Sequence, residues 1–214
     1  IYFSMDRNSQ LFLEGPSGCG KTTFLNILTG LIKPINGQIH ILGTDITQFN
    51  QVECDRFRSD HFGIIFQLFN LIPYLSVIEN IILPCAFSTL RKNKALKTAN
   101  SLDEEAIRLC SELDMDPYLI NTPVNKLSIG QQQRVAIARA LIGQPEIIVA
   151  DEPTSALDNE RKEQFMSTLL RECNKYNASL IFVSHDMLLK SYFKETYSLD
   201  LAHKSPMEKQ RVSF

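Results

Sequence analysis

A glycine-rich stretch ending in a lysine and two threonines carries the strongest chemical pattern of the chain: "GPSGCGKTT" fits G-x-x-x-x-G-K-[ST]. It lies between a predicted strand and a predicted helix. Glycines let backbone N–H groups surround phosphate oxygens, and a helix N-terminus adds positive partial charge. We expect Lys21 to reach the β- and γ-phosphates and the Thr22 hydroxyl to coordinate Mg²⁺, the alternative being a glycine-rich turn with an exposed lysine. The predicted phosphate loop comprises Gly15, Pro16, Ser17, Gly18, Cys19, Gly20, Lys21, Thr22 and Thr23.

A second chemical pattern, "EIIVADEPTSALD" at residues 146–158, runs from four apolar residues directly into two carboxylates. This is typical of a buried strand that ends in acidic side chains. Asp151 is placed to hold magnesium, directly or through water, and Glu152 to polarise an attacking water. The alternative is a solvated strand end followed by a helix cap.

The composition limits the class of protein. The chain has 214 residues, 44% hydrophobic and 21% charged, with a net charge of -2, which argues against a protein that holds nucleic acid by bulk positive charge. Its five cysteines form no C-x-x-C pair, so neither a disulfide framework nor a zinc site is predicted. We find no apolar run of roughly 18 residues and no signal-peptide pattern at the start, so a cytosolic chain is expected.

Short apolar runs alternate with longer helical patterns, which predicts an α/β fold with a parallel sheet covered by helices. A more polar region from residue 70 to about 127 predicts a helical insert. The predicted strands are Leu11–Glu14, Gln38–Leu42, Gly63–Phe66, Ile147–Ala150 and Leu180–Val183, and helical spacing occurs at Leu25–Leu31 and Arg134–Leu141.

The motifs, taken in order, resemble those of ABC-type ATPases. Gly15–Thr22 resembles a Walker A motif, Ile147–Glu152 a Walker B motif and "LSIGQ" at 127–131 the family signature. Further along, Gln67 in "GIIFQ" resembles the Q-loop glutamine, Asp158 in "SALD" the end of the D-loop, and His185 in "IFVSHD" the switch histidine. Each of these three also has a structural alternative: a polar strand end, a helix cap and a hydrogen-bonded histidine.

The resemblance implies a P-loop NTPase with a RecA-like parallel-sheet core, a small antiparallel β part and a helical subdomain at about 70–140 that carries the signature. It implies one ATPase domain over residues 1–214, with further residues before Ile1, because the family's adenine-stacking aromatic lies farther upstream. It also implies that ATP and Mg²⁺ bind between two subunits. The implied catalytic residues are Glu152, His185, Lys21 and Gln67; the implied metal ligands are Thr22, Gln67 and Asp151; and the nucleotide contacts beyond the phosphate loop are Ser128, Gly130, Gln131 and Asp158.

One position departs from the family pattern: Ile129 stands where the signature usually has glycine. A branched side chain restricts the backbone there, which bears on whether the loop keeps the family's usual geometry and hydrolysis rate.

Within the family, "FQLFNLIPYLSVIENIILP" and the signature resemble the lipoprotein-releasing, macrolide-export and cell-division subunits. Such subunits work with a second ATPase subunit, identical or paralogous, and with an integral membrane permease. This predicts a peripheral subunit on the cytoplasmic side of the inner membrane, with a nucleotide-gated structural switch without transport as the alternative. The apolar stretch after Gln67 is expected to dock the permease, with Phe69 and Tyr74 as contacts, although several of its residues are expected to pack the subdomain junction instead.

Overall fold

A computed structural model describes residues 1–155 and 157–199. In the described part the strands are β1 (Gln10–Glu14), β2 (His40–Ile41), β3 (Thr44–Asp45), β4 (Phe62–Ile65), β5 (Ile147–Asp151), β6 (Ser179–Val183) and β7 (Glu195–Ser198). The α-helices are α1 (Lys21–Leu28), α2 (Gln51–His61), α3 (Val77–Phe87), α4 (Thr89–Thr98), α5 (Leu102–Glu112), α6 (Ile129–Leu141) and α7 (Asn159–Lys175). Shorter 3₁₀ turns occupy Pro117–Leu119, Val124–Lys126 and Met187–Tyr192.

Within the described ranges, five strands form a parallel sheet in the order β4-β5-β6-β1-β7, and β2 pairs antiparallel with β3 in a separate hairpin. The predicted strand Gln38–Leu42 is therefore shorter than expected and belongs to this hairpin. Leu42 and Gly43 have φ values of 52° and 79°, which form the tight turn between the two strands. β7 was not predicted from the sequence.

Alternate side chains of the sheet enter two apolar clusters, one on each face. Leu11 and Leu13 pack with α1 and the hairpin, whereas Phe12 packs with α3, α5, α6 and α7. Residues of β6 divide in the same way, with Ile181 and Val183 on the α1 side. Because both faces are covered, the strands read as continuous apolar runs, as expected for a parallel sheet.

The helices begin at side-chain caps that the sequence supplies. Asn50, Ser76 and Ser128 each form a capping box with the residue three positions later. In α1 the predicted range Leu25–Leu31 is shifted, because the helix starts at Lys21 and stops before Gly30, whose φ is 71°.

The helical insert between β4 and β5 contains α3 to α6, and α6 packs closely on the sheet. A Cβ atom at Gly63 in β4 would lie 2.6 Å from Ile148 Cδ1 and would also clash with Ala140 O of α6. Glycine at this position therefore allows α6 to approach β4.

Candidate functional site

The site lies at one edge of the sheet, where the parallel strands β1, β4, β5 and β6 all end. The pairs Ile65 with Ala150, Asp151 with Val183, and Leu13 with Val183 set the register. The phosphate loop, Gln67, the acidic pair and His185 follow these strand ends within a few residues. The sheet thus brings four sequence-distant motifs to a single edge.

The phosphate loop leads directly into the N-terminus of α1. Its last glycine, Gly20, is the N-cap residue with φ 95°, and no side chain among the described residues caps the helix. Gly18 also has a positive φ of 77°. The Lys21 ammonium donates to Gly15 O at 2.7 Å and to Pro16 O at 3.1 Å, so it lies along the loop. An uncapped helix N-terminus beside an ammonium group is suited to phosphate oxygens.

Close packing restricts the first residue of this loop to glycine. A Cβ atom at Gly15 would lie 2.6 Å from Cys19 Sγ and 2.8 Å from Leu199 O. Ser17 and Gly18 are exposed, as are the side chains of Thr22 and Thr23 in the first turn of α1. Thr22 is thus accessible as an oxygen ligand for Mg²⁺, which requires hard oxygen donors.

The acidic pair follows β5. Burial raises the pKa of Asp151, the neighbouring Glu152 raises it further, and the positive charge of Lys21 opposes both effects. The electrostatic influence of Lys21 on Asp151 indicates that the phosphate loop and the acidic pair share one site. A bound Mg²⁺ ion would stabilise the ionised form of Asp151, so the carboxylate, the Thr22 hydroxyl and the loop fit Mg²⁺ with nucleotide phosphates.

Glu152 forms a hydrogen-bonded pair with His185. Glu152 Oε2 lies 2.5 Å from His185 Nδ1, and the Glu152 backbone has φ 51°, an uncommon value for this residue type. The Glu152 N–H donates to Val183 O at 2.9 Å, which holds the backbone in place. A carboxylate paired with an exposed imidazole is an arrangement able to accept a proton.

The segment around His185 is held from both sides. The Asp186 N–H donates to Ser184 Oγ at 3.0 Å, and Lys162 Nζ of α7 donates to Asp186 Oδ2 at 2.6 Å. The hydrogen bond from Lys162 lowers the pKa of Asp186. Nothing in the local sequence pattern pairs Lys162 with Asp186, which is 24 positions away, so this supporting contact was not predicted.

The signature segment, Leu127–Gln131, begins α6. Ser128 Oγ accepts from Gln131 N at 3.3 Å, and Gln131 Oε1 accepts from Ser128 N at 2.9 Å. A Cβ atom at Gly130 would meet nothing within 4 Å. Within the described residues no hydrogen bond joins this segment to the phosphate loop of the same chain.

Ile129 does not distort the signature. It is the first residue of α6, it is 46% exposed, and its φ is not positive. Helical backbone at this position accepts a branched residue, and the side chain is half-exposed at the start of α6. The effect of Ile129 on hydrolysis stays a prediction.

Two further candidates stay predictions. Gln67 is exposed and starts the turn Gln67–Asn70, two residues beyond β4. Asp158 N-caps α7 by accepting from Arg161 N at 2.9 Å, which is the structural role left open for it. The role of Asp158 as a nucleotide contact stays a prediction.

Comparisons with known proteins agree with the family that these motifs indicate. The model of the ABC transporter family matches residues 1–155. The chain is 40% identical over 186 residues to the ABC transporter ATP-binding protein YtrE of Bacillus subtilis, covering 87% of the chain and 77% of YtrE. It is 37% identical over 186 residues to the lipoprotein-releasing system ATP-binding protein LolD of Porphyromonas gingivalis, covering 87% and 81%.

The chain belongs to the ABC transporter ATP-binding family. A dimeric post-hydrolysis structure of the ATP-binding cassette MJ0796 of Methanocaldococcus jannaschii, bound to ADP and Pi, matches it with a TM-score of 0.77 and 35% identity, covering 92% of the chain and 84% of that cassette. The predicted ABC ATPase fold and the predicted ATPase activity with ATP and Mg²⁺ are confirmed. None of the helices in the described ranges has the length and hydrophobicity needed to cross a bilayer.

The ABC ATPase phosphate loop contains the one cysteine that is partly exposed among the five. Cys54, Cys85, Cys110 and Cys173 are buried, and burial raises the pKa of Cys110 to about 11 and that of Cys173 to about 12.

We therefore expect a maleimide to react first at Cys19 and to block ATP binding, with Mg-ATP slowing the reaction at least about tenfold because the bound phosphates cover the loop. Peptide mapping by mass spectrometry, with Cys19→Ser as the control, measures this rate. An equal rate of Cys19 labelling with and without ATP would contradict the expectation.

Proposed function

We propose that this chain is the ATP-hydrolysing subunit of a membrane transporter, with the chemistry carried out by the Glu152–His185 pair beside the phosphate loop. The 2.5 Å contact between Glu152 Oε2 and His185 Nδ1 is the observation that carries the proposal. The pair lies at the same sheet edge as Lys21 and the N-terminus of α1, which supports the role of a proton acceptor beside bound phosphates.

In this proposal the phosphate loop binds the nucleotide. Backbone N–H groups of Ser17–Thr23 and the Lys21 ammonium, released from the Gly15 and Pro16 carbonyls, hold the β- and γ-phosphates. Thr22 and Asp151 hold magnesium, with Gln67 contributing to the metal or its water. Bound magnesium would neutralise charge that develops on the phosphate oxygens.

Glu152 acts as the general base in hydrolysis. It accepts a proton from water while the water oxygen bonds to the γ-phosphorus, and the bond to the β–γ bridging oxygen breaks with its electron pair leaving on ADP. His185 orients the carboxylate and donates toward the phosphate oxygens. ADP and phosphate are the products.

A second subunit, either another copy or a close paralogue, supplies the signature. Ser128 and Gly130 are accessible at the N-terminus of α6 and have no bond to their own phosphate loop among the described residues, so their donors are free to meet the γ-phosphate on another chain. Gln131 holds Ser128 through the capping box, and Asp158 at the start of α7 is proposed as a further nucleotide contact. ATP then stabilises a dimer that opens after hydrolysis.

A membrane permease is proposed to dock in a groove between the sheet and the helical insert. This docking groove, about 230 Å³, is lined by residues that include Phe66, Phe87, Asn70, Arg58 and Arg139. Phe87 is 71% exposed at the end of α3. Exposed aromatic side chains beside arginines are typical of a protein interface.

Phe69 is not a docking residue, contrary to the sequence-based expectation. Its side chain is only 6% exposed and lies in the apolar core, so a polar substitution there would harm folding. Tyr74, by contrast, is 77% exposed and stays a candidate contact.

We expect Phe87→Asp to leave folding and basal ATP turnover unchanged but to abolish docking of the permease, because it puts a charge into the apolar part of the groove. Tyr118→Asp is the matched control, since Tyr118 is 92% exposed and does not line the groove. A photo-crosslinking residue at position 87 should capture a polytopic membrane protein from detergent-solubilised membranes, and one at position 118 should not. Equal capture at both positions would contradict docking in this groove.

The type of transporter is proposed from the similarity to known relatives. The similarity to the lipoprotein-releasing system protein supports an exporter or lipoprotein-release type of transporter, with the chain bound to the cytoplasmic face of the inner membrane through its permease. Stimulation of ATP turnover by the captured membrane protein in nanodiscs tests this assignment.

A further inference from the structure

One buried arginine of the signature helix holds the turn that contains Gln67. Arg139, near the C-terminal end of α6, is 9% exposed. Its Nη1 donates to Asn70 O at 2.7 Å and its Nη2 donates to Phe69 O. Burial lowers the pKa of Arg139, but two charge-assisted hydrogen bonds compensate for the lost hydration. The signature helix is thereby joined directly to the turn after β4.

The turn itself is in a conformation that needs support. Phe69 and Asn70 are consecutive non-glycine residues with φ values of 58° and 45°, which are uncommon for such residues. The Phe69 side chain is anchored in the core. The carbonyl groups of these two residues are the acceptors of Arg139, so loss of the guanidinium would remove one of the supports that fix the position of the turn.

The other end of the same helix carries Ser128. Eleven residues separate Ser128 from Arg139, which is roughly 16 Å at 1.5 Å per residue in a continuous helix. The C-terminal end of α6 is itself held, because Arg91 Nη2 donates to Arg139 O at 3.2 Å. Because this end is fixed, a shift of the Gln67–Asn70 turn would tilt α6 about it and displace Ser128 at the other end of the helix.

We propose that Arg139 is a positioning residue that links Gln67, in one nucleotide site, to the Ser128 signature that the same subunit offers to its partner. This inference rests on the proposed two-subunit site. ATP bound at a subunit's own phosphate loop positions the turn through Gln67, Arg139 transmits that position to α6, and α6 sets the signature for the second ATP. Each nucleotide thus prepares the opposite site for closure.

A purely structural arginine would behave differently. If Arg139 only satisfied two carbonyl groups, its loss would lower the melting temperature, and any loss of activity would follow that decrease. A positioning role instead changes the formation of the active dimer while leaving binding of ATP to the single subunit unchanged.

The test uses three variants of the full chain: Arg139→Met, Arg139→Lys and Arg108→Met. Arg108 is the matched control, because it is a partly buried arginine of the same helical insert that bonds Glu105, Glu112 and Tyr176 but no residue of the turn. Nucleotide affinity is measured with a fluorescent ATP analogue at low protein concentration. The dimerisation constant is taken from the dependence of specific ATPase activity on protein concentration.

For Arg139→Met we expect about a tenfold weaker dimer and a correspondingly lower specific activity at low protein concentration, with ATP affinity within about twofold of the parent. Arg139→Lys keeps the charge and should recover part of the lost dimerisation. If the methionine variant fails to fold, the lysine variant tests the positioning role in its place. Arg108→Met should lose stability but keep the dimerisation constant.

Two results would overturn the inference: folded Arg139 variants that dimerise like the parent, or an equal dimerisation defect in Arg108→Met at a similar loss of melting temperature. If the parent itself shows no dependence of activity on concentration, the two-subunit site is wrong and the inference falls with it. A concentration-dependent parent with unaffected Arg139 variants removes the inference alone.

Discussion

Glu152→Gln is expected to lower steady-state ATP turnover by at least about 100-fold while leaving ATP affinity unchanged, because the amide cannot accept the proton of the attacking water. The substitution keeps the size of the side chain and a hydrogen-bonding partner for His185, which lies 2.5 Å away. A dimer stabilised by unhydrolysed ATP should accumulate. Phosphate release and size-exclusion chromatography with Mg-ATP measure the two effects.

Glu163→Gln is the matched control for this substitution. Glu163 is exposed on α7, so the same chemical change there should leave turnover unchanged. Near-normal hydrolysis by the Glu152 variant would remove that residue from the role of general base. A loss of ATP affinity equal to the loss of turnover would instead assign it to binding.

Gly130→Asp is expected to abolish ATP-dependent dimerisation and the activity that depends on it, while the monomer keeps its affinity for ATP. The fold accepts the change, because a Cβ atom at Gly130 meets nothing within 4 Å and this residue is the second of α6. A carboxylate in the first turn of a helix even favours the helix. The same carboxylate would face the γ-phosphate of the second subunit, and such like-charge contacts at an interface are strongly unfavourable, about 100-fold or more in the dimerisation constant.

Gly130→Asn separates the charge effect from the size effect, since asparagine has nearly the same shape as aspartate without its charge. We expect Gly130→Asn to dimerise at least about tenfold more tightly than Gly130→Asp. Melting temperatures of both variants at or above that of the parent would confirm that folding is intact. If both variants dimerise like the parent in sedimentation velocity with Mg-ATP, the signature segment does not face a second nucleotide.

Local sequence determined the motifs of the site and their immediate structural context. The phosphate loop was predictable because its glycines, Lys21 and Thr22 lie within nine consecutive residues between a strand and a helix. The carboxylates after β5 were predictable for the same reason, since they directly follow an apolar run. The capping box is equally local, because Ser128 and Gln131 are three residues apart. Periodicity also predicted most strands of the parallel sheet, because strands buried on both faces are continuous apolar runs.

Only the tertiary structure decided which apolar residues are buried and which long-range polar contacts form. Phe69 and Phe87 are indistinguishable by residue type, yet Phe69 lies in the core and Phe87 is exposed in the docking groove. The Glu152–His185 pair requires β5 and β6 to be neighbours, and the bonds from Arg139 to the Gln67 turn span 69 and 70 residues. Such contacts depend on strand order and helix packing, which hydrophobic periodicity leaves open because it records only which face of an element is buried and not what covers it.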